Sequence, residues 1–225
     1  MENETTEPSS KCWCDVGHTM KHHACHGSGG ALYALGFLGA LGIFVIAAFQ
    51  LLRLAPDADG LLFIERALWF TAAGIPVEYH LALDGLNLWL VVLTVFLVPV
   101  TLLGTWNSLQ RKPGSAIGLF LILESAMLGA LVAQDLLLFY LFWEAMLIPM
   151  YFLIGVWGGE DRTYAANKFM LYTLAGSLLW LVALLFVAGK AGSFAPALMA
   201  QAAQALPAGT QGMLFLAFVL AFAIK

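Results

Sequence analysis

Six stretches of this chain are apolar for close to the roughly 20 residues that a helix needs to cross a bilayer. They are Ala31–Leu54, Leu86–Trp106, Ser115–Ala133, Leu136–Trp157, Tyr164–Ala188 and about Thr210–Lys225. Few folds accommodate such runs, and the spacing predicts an all-α, polytopic transmembrane helix bundle. Composition agrees: 61% of the 225 residues are hydrophobic and 11% are charged, whereas a soluble domain carries about 25% charged residues. The formal net charge of −4 and the lack of a basic stripe leave no nucleic-acid partner. The lipid bilayer is the expected surrounding.

The first five runs are long enough to cross. The sixth is short and stops with the chain, so it reads as a helix cut inside the membrane, and the chain as a fragment or an early-ended reading frame. Residues 1–30 are too polar for a signal peptide, with no apolar core before residue 31. Positive charges set the orientation. Lys11, Lys21, Arg111, Lys112, Arg162 and Lys168 fall on one side, against Arg53, Arg66 and Lys190 on the other. The N-terminus is therefore expected in the cytoplasm.

Four regions follow. Residues 1–30 form a polar head read as disordered and containing all three cysteines. Residues 31–54 form the first transmembrane helix, whose Gly36, Gly39 and Gly42 either admit a neighbouring helix closely or belong to a simple anchor. Residues 55–85 form an outer loop. Its segment Ile75–Leu83 partly alternates apolar and polar, suggesting a hairpin arm, and Asp84 is a candidate N-cap. Residues 86–225 hold five membrane segments, the last truncated. Gln134 and Asp135 alone separate the third and fourth runs, which must pack antiparallel. A short interfacial helix is expected within Ala197–Leu206.

Glu144 lies mid-membrane in Phe139–Met150, where a carboxylate costs roughly 3 kcal/mol on insertion scales and marks a proton or ion route or a buried pairing. Helical spacing puts Tyr140 and Tyr151 on its face. Pro149, five residues on, removes an N–H and frees the carbonyl of Ala145, loosening the turn beside the acid. Lys225 is the natural counter-charge, although a snorkelling lysine near a helix end is an equal reading. Glu124 sits mid-span in the third run and requires a partner; it is a secondary proton-path candidate against a packing or capping role. Lys168, spaced by one helical turn from Tyr164 and Tyr172, is either an interfacial snorkeller or a proton entry point. In the head, Cys12, Cys14, His18, His22, His23, Cys25 and His26 contain soft-metal ligands, with Cys12, Cys14, His22, Cys25 and His26 the weak metal candidates. Their spacing fits no closed tetrahedral pattern. No phosphate loop, haem or iron–sulfur spacing or nucleophile–base set is present. The residues offer ion movement, not bond-making, and no cofactor is expected on this chain.

Four sequence blocks carry a family resemblance: Leu83-Asp84-Gly85-Leu86-Asn87-Leu88-Trp89; Asp135 through Glu144; Leu147 through Gly158; and Lys168 through Ser177. Together with Phe63–Trp69, they make residues of about 55–225 similar to the chain M family of bacterial NADH-quinone oxidoreductase. These are membrane subunits of proton-pumping respiratory complex I, related to mitochondrial subunit 4 and to multisubunit cation/proton antiporters. The resemblance implies an antiporter-like inverted-repeat fold whose first repeat is incomplete here. It also implies that Glu144 matches the glutamate of the fifth family helix and Lys225 the pumping lysine of the seventh. The pair would exchange protons while quinone is reduced elsewhere in the complex. Lys168 falls at the Lys-Phe start of the sixth family helix, and Glu124 matches no family motif. The family carries two helices ahead of the Asp-Gly-Leu block, where this chain has one and a Cys/His head. The implied partners are other membrane subunits of the respiratory complex, and the implied location is the bacterial inner membrane. The alternatives are a cation/proton antiporter or membrane-bound hydrogenase subunit, or a truncated, non-transporting membrane fragment.

Overall fold

The computed structural model of the chain describes residues 29–51, 61–72, 74–105 and 112–225. The Cys/His candidates Cys12, Cys14, His18, His22, His23, Cys25 and His26 lie outside the described residues, as do Arg53, Trp106 and Arg111. Among the described residues, no three His, Cys, Asp or Glu side chains gather as a metal site.

Within the described residues the apolar runs are helical, with Leu136–Trp157 divided in two. The helices are α1 (Gly29–Leu51), α2 (Gly85–Gly104), α3 (Pro113–Val132), α4 (Leu136–Ala145), α5 (Leu147–Trp157), α6 (Arg162–Ala191), α7 (Pro196–Gln204) and α8 (Ala208–Ile224). Among the described residues, four spans are long and apolar enough to cross a membrane: Gly85–Gly104, Pro113–Val132, Leu136–Trp157 and Arg162–Ala191. Ala34–Ile46 and Ala208–Ile224 are shorter apolar stretches, so the first run does not meet that length within the described residues. The chain is a multi-pass membrane protein. The short helix α7 falls where the outer interfacial helix is expected. Lys190 occupies the last turn of α6, where a cation complements the exposed carbonyls of a helix end. Gly192 then ends that helix at φ 67°, a left-handed position that suits glycine.

Lipid is as apolar as leucine, so helices in a bilayer associate through close packing rather than a hydrophobic driving force. Glycines supply it at three seams. A β-carbon on Gly36 of α1 would sit 2.6 Å from Ile117 Cγ2 of α3, and Ala40, one turn on, is fully buried with Leu102, Ala116 and Ile117. The first helix is thus packed into the bundle through Gly36, while Gly39 and Gly42 face open space. Gly129 of α3 lies directly against the Phe142 ring of α4, and Gly176 of α6 against Ile224 of α8.

The hairpin arm exists and is longer than Ile75–Leu83 alone. Strand β1 (Leu62–Ala72) pairs antiparallel with β2 (Ile75–Leu83), reversing at Gly74 with φ 81°. On its surface the Arg66 guanidinium donates to both oxygens of Glu78, at 2.6 and 2.9 Å. This bidentate contact holds the Glu78 carboxyl below the usual carboxylate range.

The α3–α4 turn fastens the hairpin to the bundle. The Gln134 amide N–H donates to His80 O at 2.9 Å, and its side chain donates to Ala82 O at 3.2 Å. Asp135 accepts from the N–H groups of Leu137 and Leu138 at 2.9 and 3.1 Å, capping α4, and from Glu78 N–H at 3.4 Å. Asp84 caps α2 in the same way, through Leu86 and Asn87. Asp135 is only 5% exposed, so its three donors would lose an acceptor that solvent cannot readily replace. Asp135→Ala is expected to cost about 1–2 kcal/mol and to lower the thermal midpoint of the assembled protein. Asp135→Asn, which keeps an acceptor, should recover most of that loss; equal midpoints for wild type and Asp135→Ala would refute this role.

The principal core lies between α4, α6, α7, α8 and β2, with Val77, Leu137, Tyr140, Trp180, Leu184, Phe194, Met199 and Ala221 buried together. Trp180 is its hub. Its ring lies within 5.4–6.3 Å, centroid to centroid, of Phe139, Tyr140, Trp143, Phe218 and Phe222.

Candidate functional site

Glu144 follows the Asp135 cap by nine residues, which at 1.5 Å per residue puts it about 14 Å into a hydrocarbon core roughly 30 Å thick. It therefore sits near the middle of the 22-residue apolar span Leu136–Trp157. Just beyond it the helix breaks: α4 ends at Ala145, Met146 stands between, and α5 begins at Leu147. Pro149 explains the break, because it offers no N–H to Ala145 and its ring crowds that carbonyl. The sequence correctly marks a loosened turn. The structure adds that the interruption is confined to Met146, three residues before the proline, whose own backbone stays helical at φ −63° and ψ −26°.

Lys225 reaches this break from α8. The approach depends on Gly176: a β-carbon there would lie 2.7 Å from Ile224 Cγ2 and 3.0 Å from Ile224 Cβ. Only glycine lets α8 come this close to α6 and deliver the next residue to α4. The Lys225 ammonium stands 3.8 Å from Glu144 Oε1, with the two side chains 18% and 19% exposed. Its shorter bond is to a backbone group, for Nζ donates to Trp143 O at 3.0 Å. The ammonium also lies 5.1 Å from the centre of the Trp143 ring, a distance at which the aromatic face attracts a cation. Trp143 is held in turn by Phe222 at 4.9 Å and Phe139 at 5.1 Å. Glu144 Oε1 is buried and accepts no hydrogen bond among the described residues.

This geometry suits proton transfer better than a static tie. A structural ion pair is short and saturated with hydrogen bonds. Here acid and base are near enough to bias each other's charge, yet neither is fully satisfied by the other. Trp143 and Phe222 pack edge to face at 4.9 Å beside the pair, and the two charged side chains are mostly removed from solvent, which strengthens their interaction.

The other candidates lie apart from the pair. Glu124 of α3 is 3% exposed and its Oε1 has no hydrogen-bond partner among the described residues; the expected partner is not found there. It lies two turns beyond Ile117 on the α3 face that meets Gly36 of α1, whereas Gly129, on another side of the helix, meets α4. Lys168 is exposed, with its ammonium 5.6 Å from the Tyr164 ring centre. It lines an open groove of about 500 Å³ with Tyr164, Asn167, Leu171, Tyr172 and Ala175. Of the tyrosines on the Glu144 face, Tyr140 is buried against Trp180. Tyr151 lies past the break and donates to Asn167 Oδ1 of α6 at 3.0 Å. Sequence reasoning gave no role to Gly176, Trp180 or the Trp143 carbonyl. A glycine beside a serine in the interior of the 30-residue α6 was the available signal for the first.

Residues 133–225, which contain both Glu144 and Lys225, match the family described as NADH:quinone oxidoreductase/Mrp antiporter, TM. The likeness of that segment is to an antiporter-like membrane family. The wider chain is 36% identical over 191 residues to NADH-quinone oxidoreductase subunit M of Rickettsia typhi, covering 85% of this chain and 38% of the relative. It is 40% identical over 193 residues to the same subunit of Rhodobacter capsulatus, covering 81% and 37%. The chain thus spans well under half the length of these relatives. Among solved structures it resembles a chain of respiratory complex I from Thermus thermophilus with bound NADH, at 33% identity and TM-score 0.72, covering 86% of this chain and 41% of that one. It also shares its fold with the Mrp complex from Dietzia sp. DQ12-45-1b, at 22% identity and TM-score 0.67, covering 87% of this chain and 20% of that one.

Proposed function

We propose that this chain is part of a membrane subunit of a proton-pumping NADH:quinone oxidoreductase, in which Glu144 and Lys225 pass protons while quinone is reduced elsewhere in the complex. The observation that carries the reading is the incompletely satisfied acid–base pair at the helix break, 3.8 Å apart. Identities of 36% and 40% to subunit M proteins favour the oxidoreductase over an antiporter, for which the likeness to the Mrp complex supports the fold alone. On this reading the chain binds no redox cofactor and works with other membrane subunits. It lies in the bacterial inner membrane with its N-terminus in the cytoplasm, as the distribution of Lys and Arg supports. Glu124 is a second proton-storing acid of the bundle, and the Lys168 groove is an entry point from the cytoplasmic side.

The test is Glu144→Ala in the assembled oxidoreductase, reconstituted into vesicles. Assembly should survive, because Lys225 keeps the Trp143 carbonyl, whereas proton translocation and the quinone reduction coupled to it should fall severely. Normal pumping by an assembled Glu144→Ala enzyme would refute the assignment.

A further inference from the structure

In an unbroken helix the carbonyl of Trp143 would accept the N–H of Leu147, four residues on. That bond is missing. The backbone bonds flanking the break are Met146 N–H to Phe142 O at 3.3 Å and Met150 N–H to Met146 O at 3.4 Å, with Leu147 opening a new helix. A backbone carbonyl left without a partner at this depth costs free energy. The Lys225 ammonium fills the vacancy at 3.0 Å, closer than it stands to Glu144.

We propose that the Trp143 carbonyl is a second seat for the Lys225 ammonium, created by Pro149, and that Lys225 alternates between this seat and the Glu144 carboxylate. The inference rests on the proton-transfer reading above and gives it a mechanical part. When Glu144 is charged, the ammonium is drawn toward it. When Glu144 takes up a proton, that attraction ends, and the carbonyl, assisted by the Trp143 ring at 5.1 Å, keeps the still-charged lysine in the bundle. With Glu144 already protonated, the ammonium cannot return its proton there and keeps it while it is held at the carbonyl. Pro149 touches neither proton; it is a positioning residue, less than 2% exposed, whose missing N–H keeps the helix open. With alanine at position 149 the helix can close, Leu147 N–H can take the Trp143 carbonyl, and the second seat is lost.

The test uses the assembled oxidoreductase with tryptophan labelled by carbon-13 at its backbone carbonyl. Infrared difference spectra are recorded between the resting and the turning-over enzyme. A labelled carbonyl band should shift during turnover. It should be absent in Trp143→Phe, which removes the label at that carbonyl, and should no longer shift in Lys225→Gln or Pro149→Ala. Pro149→Ala should also lose most of its proton translocation per electron. An unchanged shifting band in Lys225→Gln would overturn the proposal, as would wild-type pumping by Pro149→Ala. If Pro149→Ala does not assemble, the Lys225→Gln spectrum decides alone. Failure of the underlying reading looks different, since Glu144→Ala, run alongside, would then pump normally whatever the carbonyl band does.

Discussion

Lys225→Arg in the assembled oxidoreductase is expected to keep the complex intact and to abolish proton translocation. Arginine preserves the positive charge and can still donate to Glu144 and to Trp143 O, but it does not give up its proton in a protein. If the pair only held helices together, arginine would substitute well and activity would persist. Lys225→Met should also stop pumping, for the separate reason that Glu144 loses its counter-charge. At 3.8 Å and an effective dielectric constant of about 20, the attraction between the two charges is about 4 kcal/mol. Removing one partner therefore changes the protonation of the other, and the two substitutions cannot act independently. The double variant Glu144→Gln/Lys225→Met should pump no worse than either single variant and should assemble at least as well as Lys225→Met, because no isolated charge remains. Proton uptake into vesicles and quinone reduction, measured on the same preparations, check this. Pumping by Lys225→Arg at the wild-type rate would reduce the pair to a structural tie.

Much of this site is legible in the sequence because the membrane makes one-dimensional signals unusually informative. An acid in a 22-residue apolar span is conspicuous by its cost, a proline five residues later announces a weakened turn, and a two-residue connection forces α3 and α4 to be neighbours. The Asp84 cap and the hairpin arm follow from equally local chemistry. What stays hidden is whatever depends on two segments distant in sequence meeting at a definite depth. Ile224 and Gly176 lie on different helices, and no periodicity in either specifies their contact. The Lys225 bond to Trp143 joins residues 82 apart in sequence and exists only because the break frees a backbone carbonyl, a group every residue carries. Asp135 reads as a spacer until β2 is seen against the turn. Glu124 illustrates the converse: the sequence marks it as costly and in need of a partner, yet the described residues bury it without one.

The contact between Gly176 and Ile224 gives a test of the site that leaves every charge untouched. A valine at position 176 places its first carbon 2.7 Å from Ile224 Cγ2 and 3.0 Å from Ile224 Cβ. Neither atom is the far end of a flexible side chain, since both lie at the branched base of the isoleucine, so α8 itself must move away from α6. Lys225 is the next residue and must move with it. Overpacking of this kind costs about 1–3 kcal/mol, small enough for a bundle anchored through α7 and the Trp180 cluster to remain assembled. The functional loss is expected to be larger, because misplacing a reacting group by about 1 Å can cost on the order of a hundredfold in rate. Gly176→Val should therefore assemble and reduce coupled pumping strongly, with Gly176→Ala intermediate. Adding Ile224→Ala to Gly176→Val removes the obstructing branch and should restore pumping in part, which a general folding defect at position 176 would not allow. Pumping at the wild-type rate by Gly176→Val would show that the close approach of α8 to α6 does not set the position of Lys225.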